Sequence, residues 1–174
     1  MGKSIGHLHS ESADQTFALG RDLGEMLMPG DIVGLVGNLG AGKTQLVRGI
    51  ADGAEVSADQ VASPTFSIVY PYQGRVRLYH ADFYRLKEER ELEALGFDEF
   101  LDGKSVVVIE WFDQFWPDPK FGHLRVTLSC VPGKDAERNI SVEATGERSR
   151  VLADRWLKSQ RTVTDRQLRV DRHQ

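Results

Sequence analysis

The sequence contains little cysteine and no long hydrophobic run. Its one cysteine, Cys130, excludes an internal disulfide framework, which agrees with a reducing compartment. The apolar neighbours of Cys130 in residues 126–131 predict a small buried side chain rather than a reactive thiol. The longest apolar runs, 32–36 and 106–109, fall far short of the roughly 20 residues that a membrane helix needs. Since the first residues also lack an export signal, we expect a cytoplasmic protein that makes no contact with a membrane.

Negative charge outnumbers positive charge over most of the chain. The 174 residues carry a net charge of -4, although residues 150–174 hold seven basic side chains against three acidic ones. The tail is therefore locally +4, and the remaining chain carries -8. An acidic body argues against binding to the phosphate backbone of DNA, because that affinity comes from clustered lysine and arginine. The basic tail is typical of a solvated terminus, with contact to RNA or an acidic partner left open.

Length and pattern predict one α/β domain. With 174 residues, 40% of them hydrophobic, the chain is long enough to bury a single core. We predict a flexible leader over residues 1–11, one domain over 12–159, and a basic, flexible tail over 160–174. Helical and strand patterns alternate along the chain, with a last helix near residues 148–158.

The most specific motif is a phosphate-binding loop. Residues 37–44 spell Gly-Asn-Leu-Gly-Ala-Gly-Lys-Thr and match the pattern G-x-x-x-x-G-K-[ST], between an apolar strand candidate and a helix candidate. In such loops backbone N–H groups bind phosphate oxygens, while the lysine reaches the β- and γ-phosphates and the hydroxyl binds Mg²⁺. The predicted nucleotide contacts are Asn38, Leu39, Gly40, Ala41, Gly42, Lys43, Thr44 and Gln45.

An acidic residue closes the most apolar strand candidate. Glu110 follows the four β-branched residues 106–109, where a carboxylate is costly unless it faces a cation or water. A nucleotide triphosphatase needs an acid at the end of a neighbouring strand, so that Mg²⁺ is held opposite Thr44. Glu110 is therefore our candidate for the Walker B acid. The next residue, Trp111, fits the core and the wall of a nucleotide pocket equally well.

Two polar clusters lie between the loop and Glu110. One spans residues 63–66 (Ser-Pro-Thr-Phe) and the other spans residues 80–85 (His-Ala-Asp-Phe-Tyr-Arg). Asp82 would hold a metal-bound water or orient the attacking one, and His80 or Arg85 would contact phosphate. Structural roles stay open for both basic residues, with His80 as a hydrogen-bonded core residue and Arg85 as a solvated charge.

In this order and at this spacing, the motifs resemble one family. They comprise the phosphate-binding loop with Arg-Gly behind it, Ser-Pro-Thr-Phe, His-x-Asp-x-Tyr-Arg, Glu-Leu with Leu-Gly, and Ile-Glu-Trp. They closely resemble the TsaE (YjeE/YdiB) family, small bacterial ATPases of tRNA threonylcarbamoyladenosine synthesis, over about residues 12–157. Asn38 departs from the pattern, because the family usually carries aspartate at that position.

The resemblance implies a specific activity and specific partners. It implies a three-layer P-loop NTPase-like α/β fold, with a mainly parallel central sheet that carries additional antiparallel strands. It also implies a protein that binds ATP and Mg²⁺, hydrolyses ATP weakly, and associates with TsaB and TsaD. TsaD transfers the threonylcarbamoyl group to adenosine 37 of tRNA, so tRNA would be met through that complex. Carried over to this chain, Lys43 would bind phosphate, Thr44 and Glu110 would hold Mg²⁺, Asp82 would assist hydrolysis, and Thr65 would belong to a switch-like segment.

Three other functions share the loop. A small-molecule kinase needs an acceptor pocket and an arginine-bearing lid, but residues 85–90, the one lid candidate, contain the acidic pair Glu88 and Glu89. A GTPase commonly reads guanine with an Asn-Lys-x-Asp segment, and the sequence contains no Asn-Lys pair. A nucleotide-dependent binding module with incidental hydrolysis overlaps with the ATPase interpretation, and this module and the small-molecule kinase remain the alternatives.

Overall fold

The computed structural model describes residues 3–61, 67–117 and 119–171, and in these residues seven strands and four α-helices form. The strands are β1 (Lys3–Ser10), β2 (Ile32–Val36), β3 (Val69–Gln73), β4 (Arg77–Asp82), β5 (Val106–Glu110), β6 (His123–Val131) and β7 (Lys134–Thr145). The helices are α1 (Ala13–Met26), α2 (Lys43–Gly53), α3 (Glu89–Ala94) and α4 (Glu147–Asp171). Short 3-10 turns occupy Ala58–Gln60, Phe97–Leu101 and Phe112–Gln114.

The strands form one mixed sheet in the order β1-β7-β6-β2-β5-β4-β3. Strands β6, β2, β5 and β4 are parallel, while β1 and β7 on one side and β3 on the other are antiparallel to their neighbours. This confirms the predicted parallel core with additional antiparallel strands. The parallel strands end at one edge of the sheet, where β2 runs into the phosphate-binding loop.

Alternating residues of β5 divide the core into two layers. Val106 and Val108 pack with α1, α2 and α4, whereas Val107 and Ile109 pack with α3 and an aromatic group that includes Phe112. A parallel strand covered on both faces needs an unbroken apolar run, which is what the sequence shows at this position. The predicted three-layer α/β fold is thereby confirmed.

Helices α1 and α2 cross in backbone contact because both present glycine at the crossing. A Cβ atom on Gly20 would lie 2.3 Å from the carbonyl oxygen of Leu46, and one on Gly49 would lie 2.1 Å from the carbonyl oxygen of Phe17. Real Cβ atoms do not approach backbone oxygens so closely. The crossing therefore fixes the axis of α2, whose first turn follows the phosphate-binding loop.

The structure contradicts the flexible leader predicted for residues 1–11. Residues 3–10 form β1, which pairs with β7 from Lys3 opposite Ala144 to Ser10 opposite Arg138. Along β1, Leu8 packs against the core while the histidines on either side of it are exposed. Because this strand lies at the sheet edge and is half polar, its stability comes from pairing with a distant strand, which a local pattern does not reveal.

The last helix is longer than predicted. We expected a helix near residues 148–158 followed by a tail from residue 160, but α4 runs to Asp171, so residues 160–171 are helical. The segment after Lys158 contains neither proline nor glycine, so nothing in it stops a helix. The helix is anchored by Trp156, which is fully buried and donates its indole N–H to the carbonyl oxygen of Leu19 at 3.0 Å.

Cys130 is exposed, which contradicts the prediction of a buried thiol. Cys130 is paired in register with Arg138, and the register of β6 with β7 shifts only after it. Ser129 and Cys130 are both exposed, so this end of β6 extends beyond the core. The apolar neighbours of Cys130 in the sequence therefore misled the prediction.

Across the described ranges, none of the helices is both long enough and apolar enough to cross a membrane.

The glycine crossing generates a stability prediction. Gly49→Ala should lower the free energy of unfolding by about 2 kcal/mol, because overpacking outweighs the gain in helix propensity. Urea unfolding of the wild type and the variant measures this difference. A variant at least as stable as the wild type would show that α1 and α2 separate without cost, contrary to the close contact described above.

Candidate functional site

The loop between β2 and α2 has the strand, turn and helix that the phosphate-binding motif requires. Gly40 and Gly42 adopt φ values of 77° and 100°, a region that favours glycine, and Gly42 immediately precedes α2. The N–H of Ala41 donates to the carbonyl oxygen of Asn38 at 3.0 Å and closes the turn. The loop therefore lies at the N-terminus of α2, where the helix dipole favours an anion.

Lys43 folds back over this loop. Its Nζ donates to the carbonyl oxygens of Gly37 at 2.5 Å and Asn38 at 2.9 Å. The side chain is only 5% exposed, and Nζ lies 4.2 Å from the centroid of the Trp111 ring. The ammonium group is thus held inside the loop by neutral groups, with the tryptophan ring as one wall.

One buried ammonium group faces three carboxyl groups. Burial lowers the pKa of Lys43, while Glu110, Asp82 and Asp113 act against that shift through their negative charges. The carboxyl groups outnumber the cation among these four side chains. An arrangement of this kind attracts further positive charge.

The structure brings Thr44 and Glu110 together, as a shared metal site requires. Thr44 Oγ1 lies 3.1 Å from both carboxylate oxygens of Glu110 and donates its hydroxyl proton to them. Thr44 is in the first turn of α2, and Glu110 is the last residue of β5 and 2% exposed. The contact therefore joins the start of the helix to the end of the neighbouring strand.

His80 supports Glu110 from behind. Its Nε2 lies 2.9 Å from Glu110 Oε1, and its side chain is fully buried. Because a carboxylate accepts hydrogen bonds and does not donate them, Nε2 carries the proton of this contact, and within the described part of the chain Nδ1 has no hydrogen-bond partner. Of the two roles predicted for His80, the structure therefore supports the hydrogen-bonded core residue, which donates to the Glu110 carboxylate.

Asp82 lies beside Glu110 at the same edge of the sheet. The two residues are paired in the register of β4 with β5, each at the end of its strand. Asp82 Oδ1 accepts the backbone N–H of Tyr84 at 2.9 Å, which fixes the orientation of the carboxylate. The structure thus places Asp82 and Glu110 side by side, although they are 28 residues apart in the sequence.

Two predicted contact residues direct their side chains away from the centre of this site, and a third lies outside the described residues. Thr65, with the rest of residues 63–66, lies outside the described residues. Leu39 is 75% exposed at the tip of the loop, so its side chain contacts little. Gln45 donates its side-chain amide to the carbonyl oxygen of Ala13 at 3.1 Å, which leaves its backbone N–H as the group for a phosphate.

Two charged residues beside the loop were missed from the sequence. Asp113 lies in the 3-10 turn after β5, and its place three residues after Glu110 was an available signal. Arg138 of β7 donates from Nε to the carbonyl oxygen of Ala41 at 2.9 Å and from Nη2 to that of Gly40 at 3.2 Å. Nothing local marks Arg138, because β7 reaches the loop only in the folded chain.

Comparison with known proteins agrees with this geometry. The family model described as "Threonylcarbamoyl adenosine biosynthesis protein TsaE" matches residues 10–140. The tRNA threonylcarbamoyladenosine biosynthesis protein TsaE of Bacillus subtilis is 34% identical over 142 residues, which are 81% of this chain and 87% of that protein. The TsaE protein of Treponema pallidum is 37% identical over 134 residues, which are 76% of this chain and 96% of that protein.

The fold agrees as well. A crystal structure of YdiB from Bacillus subtilis matches with a TM-score of 0.74 and 28% sequence identity. The match covers 92% of this chain and 98% of the YdiB chain. The resemblance inferred from the motifs is therefore confirmed by an independent family model and by relatives aligned over most of their length. The chain belongs to the TsaE family of threonylcarbamoyl adenosine biosynthesis proteins.

Proposed function

We propose that this protein binds ATP together with Mg²⁺, hydrolyses ATP slowly, and thereby supports formation of N6-threonylcarbamoyladenosine at position 37 of tRNA. One observation carries the proposal. The ammonium of Lys43, the hydroxyl of Thr44 and the carboxylate of Glu110 converge beside the glycine loop. Ligands of open α/β sheets bind at this place, outside the carboxyl ends of the parallel strands.

The position of Lys43 supports triphosphate binding. Its present partners are neutral carbonyl oxygens of Gly37 and Asn38. An anionic phosphate oxygen attracts the ammonium group more strongly than a neutral carbonyl oxygen does, so a triphosphate would displace these carbonyl groups. The N-terminus of α2 adds backbone N–H groups and a favourable dipole at the same place.

Thr44 and Glu110 fit Mg²⁺. This ion prefers oxygen ligands in octahedral geometry, where neighbouring ligands lie about 2.9 Å apart. The hydroxyl and carboxylate oxygens here are 3.1 Å apart, and nearby carboxyl groups exceed the cation in number. When bound, Mg²⁺ would neutralise charge on the β- and γ-phosphates.

Asp82 would orient the water that attacks the γ-phosphate. Its carboxylate is held by the N–H of Tyr84 and lies beside Glu110 at the edge of the sheet. A carboxylate in this position accepts a hydrogen bond from water and aligns its lone pair for in-line attack. Slow hydrolysis fits a protein whose task is to change the state of a partner.

The partner proposed is the TsaB–TsaD pair, with tRNA reached through that complex. The family name supports a role in tRNA modification, and TsaB and TsaD follow from the resemblance of the motifs. The ATPase would reset the pair between turnovers, while TsaD performs the transfer. Because tRNA modification of this kind takes place in the bacterial cytoplasm, we assign the protein to that compartment.

Removal of either proposed metal ligand should abolish Mg²⁺-dependent hydrolysis. Glu110→Ala and Thr44→Ala should each lower ATP turnover by at least about 100-fold, because each loses an oxygen ligand. Phosphate release at several Mg²⁺ concentrations measures the effect, and Glu93→Ala, which changes an exposed residue of α3, is the control. Unchanged turnover in Glu110→Ala would remove Glu110 from the metal site.

Asp82 should affect hydrolysis more than binding. Asp82→Asn keeps an oxygen acceptor for the N–H of Tyr84 but loses the negative charge, so kcat should fall about 100-fold while the Kd for ATP changes little. Single-turnover kinetics and calorimetry separate the two quantities. A parallel loss of affinity and rate would show that Asp82 helps to hold the nucleotide instead.

The decisive experiment for the cellular role is ATP turnover with and without the purified TsaB–TsaD pair and tRNA. Strong stimulation by the pair is expected. Phosphorylation of a metabolite with no such dependence would favour the kinase interpretation. Full modification activity with the hydrolysis-deficient Asp82→Asn variant would show that nucleotide binding alone is the function.

A further inference from the structure

We propose that Arg138 is a positioning residue of the phosphate-binding loop. Its guanidinium group fixes the carbonyl groups of Gly40 and Ala41, so that the N–H groups of the loop keep the orientation that phosphate requires. The proposal deepens the function given above and rests on nucleotide binding by this loop.

The guanidinium group connects the loop to β7. Nε donates to the carbonyl oxygen of Ala41 at 2.9 Å, and Nη2 donates to that of Gly40 at 3.2 Å. On its own strand, Nη1 donates to the carbonyl oxygens of Asp135 at 2.5 Å and Glu137 at 2.8 Å. Since all three nitrogens of the fork are engaged, the group is held rigidly between the strand and the loop.

Holding a carbonyl group also orients the next N–H. In a trans peptide the C=O of one residue and the N–H of the next lie in one plane and point in opposite directions. Arg138 therefore directs the N–H groups of Ala41 and Gly42 away from β7. The first of these closes the turn onto Asn38 at 3.0 Å, and the second precedes α2.

The loop needs such a contact because its own residues order it weakly. Gly40 has a φ of 77°, and a Cβ atom at this position would meet nothing within 4 Å. Two glycines within three residues increase the conformational entropy that must be lost on ordering. Fixing the loop before the ligand arrives removes that cost from binding.

Arg138 and Lys43 hold different parts of the loop. Lys43 bonds to the carbonyl oxygens of Gly37 and Asn38, and it must give up these partners when it turns to a phosphate. Arg138 bonds to the next pair of carbonyl groups and is not required to move. It therefore preserves the shape of the loop during nucleotide binding.

Arg138→Gln tests the proposal, with Arg125→Gln as a matched control. Arg125 lies on the adjacent strand β6 and also donates to backbone carbonyl groups, those of Trp116 at 3.0 Å and Pro117 at 2.8 Å. Calorimetry with ADP and Mg²⁺ should show that Arg138→Gln raises Kd about tenfold. The control should change Kd less than about twofold, because its bonds lie away from the loop.

Amide hydrogen exchange in the nucleotide-free protein gives the second measurement. The N–H of Ala41 is bonded within the loop, so its exchange rate should rise about tenfold in Arg138→Gln and stay constant in Arg125→Gln. Arg138→Lys keeps the charge but not the fork, and it should fall between the wild type and the glutamine variant in both measurements.

Several results would overturn the positioning role. One such result is an unchanged ADP affinity in folded Arg138→Gln. Another is an Arg138→Lys variant that behaves like the wild type in both measurements, because a positive charge alone would then be enough to order the loop. Weaker binding with unchanged Ala41 exchange would mean that the arginine acts on the nucleotide directly. If the wild type binds no ADP, the proposed function fails, while Ala41 exchange still decides whether Arg138 orders the loop.

Discussion

Parallel pairing of β2 with β5 is the constraint on which the site depends. It aligns the carboxyl ends of the two strands, with Leu35 opposite Glu110. From that edge β2 continues into the glycine loop, and α2 returns across the sheet with Thr44 in contact with Glu110. Pairing of β4 with β5 adds Asp82 to the same edge. Backbone hydrogen bonding thus gathers side chains that are far apart in the sequence.

The surrounding contacts keep this edge in place. The glycine crossing of α1 and α2 sets the axis of the helix that carries Lys43 and Thr44, and Gly34 leaves room for Phe112 beneath β2. The site itself concentrates charge in a poorly hydrated place, where burial already lowers the pKa of Lys43. Such an arrangement costs stability in the free protein. Its persistence is understandable if a polyanion and a divalent cation complete it.

Local signals predicted much of the fold and of the site. Short stretches of sequence encode the phosphate-binding loop with its flanking strand and helix. They also encode the strand that ends at Glu110 and the second acidic candidate, Asp82, so these features were predictable. Features that depend on distant partners were not predictable in this way. Strand β1 is stabilised by β7, and Arg138 meets the loop only after folding. Cys130 lies where β6 extends beyond the core, which its apolar neighbours in the sequence do not reveal. The sequence allowed His80 to be either a phosphate contact or a core residue, and its contact with Glu110 in the structure decides for the core residue.

The central claim is that the folded loop binds a magnesium-loaded triphosphate through Lys43, Thr44 and Glu110. The most direct measurement is titration calorimetry of the folded protein with ATP, with and without Mg²⁺. The account predicts one site per chain, with affinity that depends on Mg²⁺ and is weakened about 10- to 100-fold by Lys43→Ala. Absence of ATP binding at saturating Mg²⁺, with the protein shown to be folded, would contradict it.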